Sequence, residues 1–141
     1  MTSAPLTRSW DIPSTMEQVE VVCRELRAVL DERCLGSIAF AVELVARECL
    51  NNAVLHGNGG QVEKRVALNL VFEGTTICLR VADEGPGFPW ECALGNGESD
   101  QTASCGRGLA ILKNYTDRVE FNSKGNQITL WLHQPEGETK I

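Results

Sequence analysis

Two apolar, alternating segments, VALNLVFE from Val66 to Glu73 and TICLRVAD from Thr76 to Asp83, are separated by Gly74 and Thr75 alone. A connection this short joins strands only as a tight antiparallel hairpin, so any fold of this chain must contain one. The apolar face of such a hairpin needs cover, and two helical patterns stand immediately upstream. In the first, Ser14 and Glu17 have the form of a capping box. Val19, Val22, Cys23, Leu26, Val29 and Leu30 then recur at three- and four-residue steps, predicting a helix to about Arg33. In the second, Gly36 breaks the pattern and a helix runs from near Ser37 to about His56, stopped by Gly57, Gly59 and Gly60. Its inward face is read as Phe40, Leu44, Val45, Cys49, Ala53 and Val54. Glu48, Asn52 and His56 make a polar row along one edge.

The remaining segments complete the order. TRSWDI, from Thr7 to Ile12, ends at Pro13 and suits an edge strand. Gly85 to Cys105 is rich in Gly, Pro, Ser, Asn and acidic residues without a period, far beyond the usual loop length of roughly 4 to 6 residues, and reads as a mobile lid. Gly106 to about Tyr115 reads as a short helix with Leu109, Ile111 and Leu112 for the core. RVEFNS, a Lys124-Gly125 turn and QITLWLH then form a last hairpin. The tail from Gln134 to Ile141 is polar. Strand, helix, helix, strand, strand, lid, helix, strand, strand implies an α+β fold: a two-layer sandwich of a mixed, mostly antiparallel sheet with helices on one face.

Composition bounds the function classes. The 141 residues are one domain's worth, expected to form a single unit over 1–141. No stretch approaches the ~20 apolar residues of a membrane span, and Met1 to Arg8 has no secretory pattern, so a cytoplasmic protein is expected. A net charge of −6 argues against a direct nucleic-acid partner. The six cysteines have no CxxC spacing and His56 and His133 are far apart, so reduced thiols are expected and a structural zinc is not.

Three separated motifs carry candidate chemistry: ECLNNAVLHG, DEGPG and GRGL. Magnesium usually takes one or two protein oxygens, and Asn52 can supply one. One helical turn earlier, Glu48 is placed to accept a proton from a hydroxyl attacking a γ-phosphate. The alternative is that Glu48 pairs with Arg47 or Lys64 and Asn52 faces solvent. Asp83 can accept a hydrogen bond from an exocyclic amine such as that of adenine, and Gly85 and Gly87 allow close backbone approach. Gly106, Arg107, Gly108 and Leu109 at a helix start present N–H groups to a phosphate. His56 is either a partner near the phosphates or a helix C-terminal histidine favoured by the dipole.

In this order and setting, the motifs resemble the Bergerat fold of the GHKL ATPase superfamily, and more closely the anti-sigma-factor serine/threonine kinases. By that resemblance Glu48 matches the general base, Asn52 the magnesium ligand and Asp83 the adenine reader. Gly85, Gly87, Gly106 and Gly108 match the loop glycines. The resemblance implies ATP and Mg2+ as cofactors, and phosphorylation of a serine on an anti-anti-sigma protein. It also implies sequestration of a sigma factor, with a homodimer expected. The alternative is a nucleotide-gated binding switch without phosphotransfer. Two departures stand out. Asn126 and Gln127 follow Gly125 where the family carries threonine near the adenine, Thr129 being displaced. Ser104 and Cys105 precede the glycine-rich motif where relatives often bring an arginine, and Arg107 lies inside it. A complete histidine kinase is not expected, because Ser14 to Arg33 contains no histidine. The superfamily's gyrase, chaperone and repair ATPases append a transducer domain for which 141 residues leave no room.

Overall fold

The computed structural model describes residues 6–33, 35–87 and 111–133. Most of the segment read as a lid, from residue 88 on, lies outside them, as do Gly106, Arg107, Gly108, Leu109 and the tail. The elements are β1 (Leu6–Pro13), α1 (Met16–Glu32), α2 (Gly36–Asn52), a π-helical turn (Ala53–Gly57), β2 (Arg65–Glu73), β3 (Thr76–Ala82), β4 (Arg118–Phe121) and β5 (Gln127–His133). Residues 111–115 are helical.

The expected hairpin is β2–β3, in register from Glu73 opposite Thr76 to Ala67 opposite Ala82. Gly74 takes a φ of 63°, a left-handed conformation that glycine adopts without strain. The five strands lie in the order β1-β2-β3-β5-β4, with all four pairings antiparallel and β1 at an edge. Alternation decides the layers. Val66, Leu68, Leu70 and Phe72 of β2, Ile77, Leu79 and Val81 of β3, and Ile128, Leu130 and Leu132 of β5 are buried on one face. Both helices contribute to the same core, α1 through Val19, Val22, Leu26 and Leu30, α2 through Val42, Val45, Ala46, Cys49 and Leu50. The result is the two-layer α+β architecture. No helix among the described residues is long and apolar enough to cross a membrane.

Three local expectations are corrected. The cap of α1 is Thr15, whose side chain accepts from Gln18 N–H at 3.2 Å. Ser14 instead is 3% exposed and donates to the Lys64 carbonyl at 2.7 Å, because the strand end must be tied down before the helix starts. Phe40 does not point inward. It is 61% exposed, edge-on to Tyr115, because the buried stripe of α2 follows Ile38, Val42, Val45 and Cys49, about half a turn away. Leu44 is only partly buried. Finally, α2 ends at Asn52 and Ala53–Gly57 is wound as a π turn, with Asn58 N–H bonding five residues back to Ala53 C=O at 2.8 Å.

The topology concentrates one end of the sheet. β3 and β5 are antiparallel neighbours with Ala82 opposite Gln127. The chain leaving β3 and the turn entering β5 therefore meet at the same edge, beside the end of α2.

Candidate functional site

An open pocket lies at that meeting point. α2 and the π turn supply Cys49, Asn52, Ala53, His56 and Gly57 to its walls. The end of β3 supplies Val81 and Asp83, and residues 125–128 close the far side. Apolar walls with a single carboxylate are suited to a flat heteroaromatic ring carrying an amine. Burial raises the Asp83 carboxyl above its ordinary range, opposed by the Gly85 N–H and by the positive Lys124 and Lys64. Cys49 is fully buried, and burial, with the nearby Glu48 charge, holds its thiol protonated.

Asp83 is held from three sides. Its Oδ1 accepts from Gly85 N–H at 2.8 Å. Its own N–H donates to the Asn126 carbonyl at 3.0 Å. The next peptide, Glu84 N–H, donates to Asn58 Oδ1 at 2.8 Å. Asn58 is 1% exposed, and its Nδ2 reaches both Ser14 Oγ, at 2.8 Å, and the Arg65 carbonyl, at 3.1 Å. One buried carboxamide thus joins the π turn, the chain just after β1, the start of β2 and the Asp83 loop.

The glycines explain how close this loop lies. A Cβ on Gly57 would stand 2.3 Å from Asp83 Oδ2, one on Gly85 1.7 Å from the Gly57 carbonyl oxygen, and one on Gly87 1.9 Å from the Lys124 carbonyl oxygen. The close approaches at Gly85 and Gly87 are therefore backbone against backbone, and they draw the loop onto the π turn and the β4–β5 turn.

Of the residues predicted from sequence, Asn52 and Asp83 line one pocket. Glu48 stands one helical turn before Asn52, half-buried, and does not line it. Among the described residues Glu48 has no hydrogen-bond or ion-pair partner. Arg47 turns instead to Glu20 and Glu43, so the Arg47 pairing weighed from sequence is not formed. His56 lines the pocket from an exposed position. Gly106, Arg107, Gly108 and Leu109 lie outside the described residues. Sequence reasoning missed Asn58, and it met Asn126 only as a departure from the threonine that the resembled family carries near the adenine. Gly57 was visible as a helix stop and as the last residue of ECLNNAVLHG, but its contact with Asp83 was not.

Comparison with known proteins agrees with this geometry. Residues 12–132 match the family described as Histidine kinase-like ATPase domain. The chain is 27% identical over 97 residues to an "Anti-sigma F factor" of Anoxybacillus flavithermus, with 62% of each chain covered. It is 27% identical over 104 residues to an "Anti-sigma F factor" of Geobacillus kaustophilus, with 70% of each covered. The chain thus spans less than two thirds of the first relative's length. With the family match running from β1 to β5, the chain belongs to the histidine kinase-like ATPase domain family and so to the ATP-binding GHKL-type proteins.

Proposed function

We propose that this chain is an ATP-dependent protein serine kinase and anti-sigma factor, which phosphorylates an anti-anti-sigma protein on serine and sequesters a sigma factor. The observation that carries the reading is the pairing, in one pocket, of the half-buried Asp83 carboxylate with the Asn52 carboxamide, one helical turn from Glu48, which has no hydrogen-bond or ion-pair partner among the described residues. The relatives' printed names supply the partner class.

In this reading Asp83 accepts the hydrogen bond of the adenine amine, and Cys49, Ala53, Val81 and Ile128 exclude water from the ring faces. Asn52 offers its carboxamide oxygen to Mg2+, a donor set that suits a cation retaining water and phosphate ligands. Glu48, free of Arg47, accepts the proton of the attacking serine hydroxyl. Mg-ATP, when bound, supplies the phosphoryl group and neutralises the charge that develops on its transfer. The phosphate grip is assigned to Gly106, Arg107, Gly108 and Leu109. Residues 1–141 act as a single ATP-binding unit. The homodimer is assigned to the sheet face turned away from the helices, where Ala67, Val71, Cys78 and Trp131 are only partly buried.

The test is phosphotransfer from labelled Mg-ATP to an anti-anti-sigma protein encoded beside this chain. Label on a serine, lost on chelating the magnesium, is expected. Tight ATP-dependent binding without label would reduce the protein to a nucleotide-gated switch.

A further inference from the structure

We infer that Asn126 is a positioning residue for the base-reading carboxylate, acting through a side-chain rung that replaces a missing backbone one. This deepens the proposed function and rests on the assignment of Asp83 to the base. β3 ends at Ala82 and β5 begins at Gln127, so Asp83 and Asn126 are the first pair beyond the ladder. An antiparallel pair of this kind exchanges two hydrogen bonds. The first is present, Asp83 N–H to Asn126 C=O at 3.0 Å. The second is not available to the main chain, because Asn126 N–H donates to Asn122 Oδ1 at 3.1 Å. The Asn126 side chain makes it instead, Nδ2 donating to the Asp83 carbonyl at 3.2 Å.

That carboxamide is itself fixed. Its Oδ1 accepts from Asn122 Nδ2 at 2.7 Å. Asn122 Oδ1 also takes Gly125 N–H at 2.8 Å and Gln127 N–H at 3.1 Å, so one exposed asparagine holds the whole turn. Both ends of the Asp83 residue are thereby clamped, and with them the direction of its Cα–Cβ bond into the pocket. The Asn126 amide is thus engaged with protein at both its nitrogen and its oxygen.

The experiment compares binding of ATP with that of purine riboside triphosphate, which lacks the exocyclic amine, by titration calorimetry. The ratio of the two affinities does not depend on the fraction of chain folded. The wild type should prefer ATP by about tenfold or more, the scale of a hydrogen bond to a charged group. Asn126→Ala, Asn126→Asp, which keeps the size but loses the donor, and Asn122→Ala should cut that preference to within about threefold. Because Asn126 itself lines the pocket, the variants are read by the ratio of the two affinities and not by either one alone. An undiminished preference in all three variants, or an equal loss for both nucleotides, overturns the positioning role. A wild type without preference, matched by Asp83→Ala, overturns the assignment of Asp83 instead.

Discussion

If Asp83 reads the base as proposed, it carries a conflict between stability and binding. A carboxyl whose folded value is raised by burial holds its proton more tightly in the folded chain than in the unfolded one. Its contribution therefore favours the fold at low pH. That contribution is lost as pH rises from the ordinary value of 3.8 through the raised one. Asp83→Asn keeps an oxygen for Gly85 N–H and removes the charge. Difference melting curves against pH should show the variant gaining on the wild type across that window, while ATP affinity falls about tenfold or more. Gly85→Ala tests the opposite side of the site. Its Cβ would meet the Gly57 carbonyl at 1.7 Å, and a rigid backbone cannot yield as a side chain does. A loss of about 1–3 kcal/mol is expected in denaturant unfolding. A variant as stable as the wild type would mean that the Asp83 loop is not pressed onto the π turn.

At the scale of elements, strands were more legible than helix ends. The β2–β3 hairpin follows from alternation and a two-residue turn, because both are local. The cap of α1 was misread by one residue: Ser14 and Glu17 satisfy the capping pattern, yet Ser14 is drawn into bonds with Lys64 and Asn58, 50 and 44 residues away. Thr15→Ala should cost about 1 kcal/mol, as lost caps do. Ser14→Ala should cost more, about 1–3 kcal/mol, by leaving the Lys64 carbonyl and the Asn58 amide short of a partner. Thermal unfolding of the two variants orders them, and the reverse order would restore Ser14 as the cap. Phe40 failed for a different reason. Hydrophobicity alone placed it inward, whereas the 3.6-residue period puts it on the far side of α2 from Ile38 and Val42. The π turn was not foreseen, and it seats Gly57 where a Cβ would stand 2.3 Å from Asp83 Oδ2.

At the scale of the molecule, the site exists because antiparallel pairing of β3 with β5 returns the chain to where it left the sheet. Glu48, Asn52 and Asp83 were readable as candidates because the chemistry proposed for each asks for a residue type at a fixed place on its own element. Asn58 was not, and Asn126 was visible only as a departure from the family's threonine, because their contacts lie 26 and 43 residues away. The same geometry separates two duties along α2: Asn52 lines the pocket, and Glu48, one turn earlier, does not. Chemistry and nucleotide binding should therefore be separable by one substitution. The direct measurement is Glu48→Gln against wild type, with phosphotransfer to the anti-anti-sigma protein and ATP affinity read on the same preparations. Phosphotransfer should fall by at least about 100-fold, the scale of a lost general base, while ATP affinity changes less than about threefold. Undiminished phosphotransfer by Glu48→Gln would contradict the assignment of Glu48 as the base.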